Sequence, residues 1–445
     1  MKNTKIQVIG AGLVGAVLAA DLVRRGHDVQ VYEKRPDIRK AGNIGGRSIN
    51  LALSERGWKA LRLIGAEDQI RKEAIPMYGR MIHDETGKLT FQPYGVGKQA
   101  IYSVSRGGLN ARLIDHAEKL GAKFYFENAC RSMDLRKEII DLEGTRLSTN
   151  TVTFGADGAF SRIRLGMMKL DRFDYSQKYL RHAYKELSIP PDEQGGWQLE
   201  KNALHIWPRH SFMLIALPNA DGSFTCTLFA PFKGENSFDQ LQSEEDVIRW
   251  FQMFFPDAIA LMPSLLDDFF SNPTSSLLTV RCQPWNYNKV ALIGDAAHAI
   301  VPFYGQGMNA GFEDVTVLDE LMEDHRGNWP ELLHNYALDR KPNADAIADL
   351  AIKNFIEMRD WVADAKFLYR KKLERMLHEK YPNDYVPVYT LVTFTHTPYA
   401  EAQRIGKLQD QFFETRIESL IHTEFSDDLL ERLLKEWKQY VSENA

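Results

Sequence analysis

Lys5-Ile-Gln-Val-Ile-Gly10-Ala11-Gly12-Leu13-Val14-Gly15, followed by Ala16 to Arg25 and then Asp28-Val-Gln-Val-Tyr-Glu33, decides the fold of this chain. The first β-branched run ends in glycine and reads as a buried strand. The Ala16–Arg25 stretch has helical spacing, and the next run is a second strand closed by an acid. A lone GxGxxG means little. Here it joins a strand to a helix, and an acid ends the next strand about 20 residues on, as a dinucleotide fingerprint requires. Gly10 permits the tight turn, Gly12 lets a pyrophosphate approach the backbone, and Gly15 lets helix and strand pack closely. The free N–H groups at the helix start suit a phosphate, and Glu33 suits a ribose hydroxyl.

The rest of the composition narrows the class. The chain has 445 residues, 44% hydrophobic and 26% charged, with a net charge of −5. That balance fits a soluble globular protein with ample core and gives no basic stripe for nucleic acid. Three cysteines (Cys130, Cys226, Cys282) exclude a disulfide scaffold or a multi-cysteine metal site and fit a reducing compartment. The apolar run Val8–Ala20 holds the fingerprint glycines and lacks a cleavage site, so it does not read as a signal segment. No apolar stretch approaches the ~18 residues of a membrane span. The expectation is a soluble, cytoplasmic protein without a transmembrane segment or metal site.

Two further glycine–acid turns follow. Thr151-Val-Thr-Phe-Gly-Ala-Asp157-Gly158-Ala-Phe-Ser161 is a strand running into a turn, with Arg162 and Arg164 behind it. Lys289-Val-Ala-Leu-Ile-Gly294-Asp295-Ala-Ala-His298 is another, followed by the glycine-rich Val301-Pro-Phe-Tyr304-Gly305-Gln306-Gly307-Met308-Asn309. Three such turns in this order resemble the aromatic-ring hydroxylases, FAD-dependent monooxygenases with GxGxxG, DG and GD motifs. The resemblance implies that Asp295 binds the FAD ribityl chain and that Met308 and Asn309 lie beside the flavin ring. It also implies that Arg106, in Ser105-Arg106-Gly-Gly-Leu109, sits near the FAD phosphates.

Narrower stretches sharpen this. Gly46-Arg-Ser-Ile-Asn-Leu-Ala52-Leu-Ser54, Met77-Tyr-Gly-Arg80-Met-Ile-His83, Gln92-Pro-Tyr94-Gly95, Leu204-His-Ile-Trp-Pro208, Phe212–Asn219 and Val392-Thr-Phe394 join the glycine-rich loop. Together they resemble the kynurenine 3-monooxygenase family from about Ile6 to about Ala402. The resemblance implies that Arg80 binds the carboxylate of L-kynurenine, aided by Tyr94, Asn354 and Tyr399. A guanidinium suits that task because its planar fork meets a carboxylate bidentately. For FAD the resemblance adds Val14, Tyr32, Arg35, Ala52 and Cys130 to Gly10, Gly12, Gly15 and Glu33.

Asn354 also stands out by pattern. Ala344–Leu377 reads as one long helix whose apolar stripe includes Ile347, Leu350, Ala351, Phe355, Met358 and Trp361, and Asn354 falls on it. A buried amide without a partner costs about 1–3 kcal/mol. Pattern alone leaves two options, a core partner or a ligand; the resemblance points to the ligand.

The implied fold class is α/β: a Rossmann-type FAD-binding domain with an inserted, mostly antiparallel substrate domain and a C-terminal helical region. The expected boundaries are 1–70, 100–180 and 275–335 for FAD binding, 71–99 and 181–274 for the substrate domain, and 336–445 for the helical region. Val392-Thr-Phe394 reads as a strand. Ser426–Ser442 reads as an amphipathic helix packed on the body, with a membrane-surface or partner helix as the other option. The implied reaction is NADPH-consuming hydroxylation of L-kynurenine by O2 through a flavin C4a-hydroperoxide, giving 3-hydroxykynurenine. The chemistry belongs to the cofactor, and no acid–base residue is expected. The alternatives are a hydroxylase of another aromatic acid or amine and a non-catalytic FAD-fold binding protein. The sequence leaves the oligomeric state open, a homodimer included.

Overall fold

The computed structural model describes residues 4–40, 50–324, 327–358, 364–421 and 423–444. Lys5–Ile9 is a buried strand at the centre of a six-stranded sheet. Across the sheet the order is Asn286–Tyr287, Val290–Leu292, Val152–Gly155, Lys5–Ile9, Asp28–Tyr32 and Lys123–Tyr125. All pairs are parallel except the antiparallel edge at Asn286–Tyr287. The Leu13–Arg24 helix crosses between the first two strands and buries Ala16 to Leu22 against the sheet. That run is apolar apart from the buried Asp21, which pairs with Arg24. The GxGxxG, DG and GD turns all leave the same edge of this sheet, beyond the C-terminal ends of three adjacent strands. An open α/β sheet binds its ligand there.

A second, seven-stranded sheet is mostly antiparallel. Its order is Ser275–Gln283, Asp174–Ile189, Phe224–Pro231, Phe212–Pro218, Ala203–Arg209, Gly79–His83 and Leu89–Pro93. Gly79–His83 runs parallel to Ala203–Arg209. The sheet extends past the expected boundaries: the 16-residue strand Asp174–Ile189 starts before 181, and Ser275–Gln283 lies beyond 274. One face is covered by the helices Glu244–Phe254, Pro256–Ile259 and Leu265–Ser271, with Val247, Phe251, Phe255 and Phe269 buried against Trp207, Leu214 and Leu228. The other face presents Ile82, Ile206, Met213 and Phe229 to the Pro302–Tyr304 turn and to the helices Trp329–Ile356 and Tyr399–Glu414.

The C-terminal third is helical, with three departures from expectation. One helix runs Trp329–Ile356, and a separate one, Ala365–Lys380, begins where the Asp364 side chain accepts from Phe367 N at 2.7 Å. The single Ala344–Leu377 helix is therefore two, because an aspartate cap starts a new helix; Trp361 lies outside the described residues. Val392-Thr-Phe394 is not a strand. It closes the helix Val388–Phe394, which Pro387 opens and tertiary packing stabilises over the β preference of its branched residues. The helical region begins with Trp329–Ile356, before the expected start at 336. The segment Gly46–Ile49 lies outside the described residues. Among the described residues no helix is long and apolar enough to cross a membrane.

The terminal helix Asp427–Asn444 is capped by Ser426, whose hydroxyl accepts from Leu429 N. Leu429, Leu430, Leu433, Leu434 and Trp437 are buried against Leu373, Leu377, Tyr385 and Phe412. The apolar stripe therefore packs on the body. Trp437→Ala should destabilise the protein by about 3–5 kcal/mol, the cost of a large buried cavity. A lower urea midpoint would show it; an unchanged midpoint would mean the helix contributes little.

Candidate flavin and substrate site

The nucleotide cradle is built by local constraints. Gly10 has φ +109°, and a Cβ there would lie 2.4 Å from the Ala156 carbonyl oxygen. A Cβ at Gly15 would lie 2.1 Å from the Gly10 carbonyl oxygen, which is the helix–strand contact that needs a glycine. Gly12 differs: no atom lies within 4 Å of the position its Cβ would take, so the approach to the helix N-terminus is open. Glu33 is buried and accepts from Ala11 N at 2.8 Å and from Arg35 N and Nε at 3.0 and 2.9 Å. Burial pushes its carboxyl up, but Arg35 and the backbone donors outweigh this and hold it below the ordinary range. It stays an anion, ready to accept from a diol. Tyr32 stacks on Tyr125 at 5.0 Å beside it, and Arg35 is exposed.

The other two turns converge on the same opening. Asp157 accepts from Arg162 N and Ile163 N through one oxygen, and its buried second oxygen has no partner among the described residues. Asp295 is exposed at the start of a short helix after Gly294. Val14 packs into the space left by Gly294 and Gly311, clamping the first turn to the third. Arg106 is exposed at the start of the Arg106–Leu120 helix, which Ser105 caps. Cys130 is half-buried, and burial pushes its thiol up to about 12, so it is no nucleophile at neutral pH. An open helix N-terminus, an ionised acid at the second strand and an unpaired buried aspartate oxygen fit the pyrophosphate and diols of a dinucleotide.

Met308 is half-buried at the start of the Gly307–Asp324 helix, while Asn309 is fully buried. The Asn309 amide is spent inside the protein: Nδ2 donates to the carbonyls of Ala52 and Gly305 at 2.8 Å each, and Oδ1 accepts from Ser54 N at 2.9 Å. Its side chain thus pins the Asn50–Leu53 strand to the glycine loop. What the loop can offer a bound ring is the unpaired N–H groups of its helix start.

One buried network holds these pieces. Arg56 pairs with Glu313 and donates to the carbonyls of Val392 and Thr397. Arg340 pairs with Glu313 and with Asp314 at 2.9 and 2.8 Å. Asp314 also contacts His298 Nε2 at 2.6 Å and accepts from Gly294 N at 3.0 Å. Burial would raise Asp314, but His298 and Arg340 outweigh it and keep its carboxyl below the usual value. The signal available in the sequence was an arginine, Arg56, at a buried position of a short amphipathic helix.

The predicted substrate residues do not all meet. Arg80 faces Tyr94, with its guanidinium carbon 5.5 Å from that ring. The third member is Tyr389, which sequence reasoning missed: its ring is 5.3 Å from the guanidinium, stacks on Tyr94 at 5.3 Å, and on its other side stacks on Tyr304 at 5.6 Å. Burial raises the phenols of Tyr94, Tyr389 and Tyr304, so all three are neutral O–H donors. Arg80 Nε and Tyr94 Oη are buried without hydrogen-bond partners among the described residues. Leaving such groups unpaired costs several kcal/mol. Tyr399 lies in the next layer: its hydroxyl donates to Gln306 Oε1 at 2.9 Å, and Arg56 covers its ring at 3.9 Å. Asn354 takes a core partner, donating to the Phe303 carbonyl at 2.7 Å, and so supports the turn that carries Tyr304.

Known proteins share this sequence pattern and fold. The FAD binding domain family matches residues 3–351. Kynurenine 3-monooxygenase of Flavobacterium johnsoniae is 51% identical, covering 97% of this chain and 99% of its own. The Dictyostelium discoideum enzyme of that name is 51% identical over 92% of both chains. The one from Sus scrofa is 44% identical over 94% of this chain and 89% of its own. Among solved structures, tetrameric 2-methyl-3-hydroxypyridine-5-carboxylic acid oxygenase superposes with a TM-score of 0.66 at 20% identity, covering 86% of this chain and 99% of that one. PqsL of Pseudomonas aeruginosa in complex with 2-aminobenzoylacetate gives 0.64 at 18% identity, over 80% and 99%. The fold and the family match make this chain an FAD-dependent monooxygenase. Within that class it belongs to the kynurenine 3-monooxygenase family.

Two outcomes follow from the cradle. Gly12→Val should leave the melting temperature of the apoprotein unchanged, since the site is open and φ is −68°. Its flavin absorbance per mole of protein should fall to near zero. Arg340→Met strands two buried carboxylates and should cost about 3–5 kcal/mol, seen as a lower thermal midpoint and early flavin release.

Proposed function

We propose that this enzyme hydroxylates the aromatic ring of L-kynurenine with O2 and NADPH, using FAD, to give 3-hydroxykynurenine. The observation that supports this reading is the half-buried Arg80, whose Nε has no hydrogen-bond partner among the described residues and whose guanidinium carbon lies 5.5 and 5.3 Å from the rings of the neutral phenols Tyr94 and Tyr389. A guanidinium and phenolic O–H donors together form a site for a carboxylate. Kynurenine carries its carboxylate at the end of a short side chain, away from the ring to be oxidised. Anchoring that end leaves the aniline ring to lie along Tyr304 and Phe303 toward the glycine loop.

The bound FAD, reduced by NADPH, supplies the oxygen-transfer chemistry. The chain's residues do the rest. Gly10, Gly12, Gly15, Glu33, Arg35, Arg106, Asp157 and Asp295 would hold the dinucleotide, with Val14, Tyr32, Ala52 and Cys130 lining its path. Met308 and Asn309 would present backbone at the ring. The amine already activates the ring carbon beside it, so no protein base is needed, which suits a wall of neutral phenols. The apolar surface of Ile82, Ile206, Met213 and Phe229 excludes water, which protects the reactive oxygen from loss as peroxide. Asn354 and Tyr399 act from behind this surface, Asn354 through Phe303 and Tyr399 through Gln306.

The test is anaerobic mixing of the yellow holoenzyme with NADPH, with and without L-kynurenine, followed by oxygen. Faster flavin bleaching with kynurenine and a hydroxylated product are expected. Bleaching with peroxide and no hydroxylated product would contradict kynurenine as substrate. Arg80→Met should raise KM for L-kynurenine about 100-fold, the loss of a charge-assisted bidentate contact. Tyr389→Phe should raise it more than Tyr399→Phe; the reverse order would move the anchor to the Gln306 layer.

A further inference from the structure

A second polar cluster lies behind the strand that carries Arg80. Side chains alternate along Gly79–His83, so Arg80 and Ile82 share one face of the sheet while His83 faces the helices on the other side. His83 Nδ1 lies 2.7 Å from Asp257 Oδ2, and His83 Nε2 lies 2.9 Å from His205 Nδ1. His205 Nε2 lies 2.8 Å from the Glu200 carbonyl oxygen. Trp207 Nε1 donates to the same Asp257 oxygen at 2.8 Å, and its ring stacks on His83 at 3.9 Å. Both histidines are only 2% exposed.

Counting hydrogens along this row decides its charge. The Glu200 carbonyl can only accept, so His205 Nε2 carries a hydrogen. The Asp257 carboxylate can only accept, so His83 Nδ1 carries another. A neutral imidazole has one N–H, and both rings have now used theirs. The 2.9 Å contact between the rings still needs a hydrogen; without it two lone pairs face each other. The row closes only with one extra proton. Burial pushes His205 down to about 4, while His83 and Trp207 hold Asp257 below the ordinary range against its own burial.

We propose that His83 and His205 share one extra proton, balanced by Asp257, and that this charged row is a positioning device for the Arg80 strand. The second half rests on Arg80 being the carboxylate anchor. The strand has five residues and bonds on its outer side only to Leu89–Pro93, at the sheet edge. Its inner partner is Ala203–Arg209, and the two histidines bridge those two strands. Arg209 holds the strand's end, donating to the carbonyls of His83 and Asp84. The other charges facing the row are Asp257 from the helix side and, beyond Arg209, Asp84 and Glu85 in the following turn. Removing the shared proton sets the two lone pairs against each other across the strand pair. The strands relieve this by separating, and Arg80, three residues away, moves with them.

The holoenzyme labelled with 15N-histidine tests both halves. At pH 7 the ring nitrogens that vanish in His83→Gln should belong to a pair with three N–H groups; two neutral rings would overturn the shared proton. As pH rises through that pair's titration, KM for L-kynurenine should rise about tenfold, the loss of one charged hydrogen bond, with kcat unchanged. His83→Gln should lack that rise. A wild-type KM that stays flat through the NMR transition would overturn the positioning role. If Arg80 is not the anchor, the NMR result stands while Arg80→Met leaves KM unaltered, so the two failures are distinguishable.

Discussion

The pair Glu313–Asp314, two adjacent acids buried in one helix, is the constraint on which the rest of the site depends. Neither carboxylate can stay charged in the interior without compensation, and the chain supplies it from three segments. Arg56 arrives from the helix after the Asn50–Leu53 strand, Arg340 from the long C-terminal helix, and His298 and Gly294 N from the GD turn. Arg56 also binds the carbonyls of Val392 and Thr397, fixing the helix that carries Tyr389. The glycine-loop helix, the GD turn, the helix after Asn50–Leu53 and the helix that carries Tyr389 are thus tied to one charged knot. Its balance of two acids against two arginines makes a buried assembly tolerable where a lone ion would not be.

The knot explains how segments hundreds of residues apart are held against one another. The flavin side is set by backbone: a left-handed glycine at Gly10, a close approach at Gly15, an open one at Gly12 and a helix start at Gly307. The proposed substrate side is built from rings stacked in the order Tyr94, Tyr389, Tyr304, with one guanidinium against the first two. Such a division suits a reaction whose chemistry is carried by a cofactor. Backbone donors are rigid and chemically inert, and neutral phenols orient an anion without acting as bases.

The readable parts of the sequence were those governed by local rules. Gly10 to Gly15, the acid at Glu33 and the helix opened by Ser426 follow from neighbours in the chain, so strand, turn and helix could be placed directly. Residues whose surroundings are assembled by tertiary contacts were harder. Tyr389 and Tyr399 are ten apart near one motif, and only the packing of Val388–Phe394 separates the ring beside Arg80 from the one over Arg56. Asn354 sat on an apolar stripe with two readings, and the Phe303 carbonyl supplies its partner. The β-branched Val392-Thr393 pair suggested a strand, but a proline start and burial between helices outweigh that preference. The Arg56 network left no pattern beyond a charge on a buried helical face.

Labelling with 18O2 tests the central claim most directly. The purified enzyme, supplied with NADPH and L-kynurenine under 18O2, should give 3-hydroxykynurenine carrying one 18O atom per molecule in the new ring hydroxyl. An unlabelled hydroxyl, or label recovered only in hydrogen peroxide with kynurenine unchanged, would contradict it.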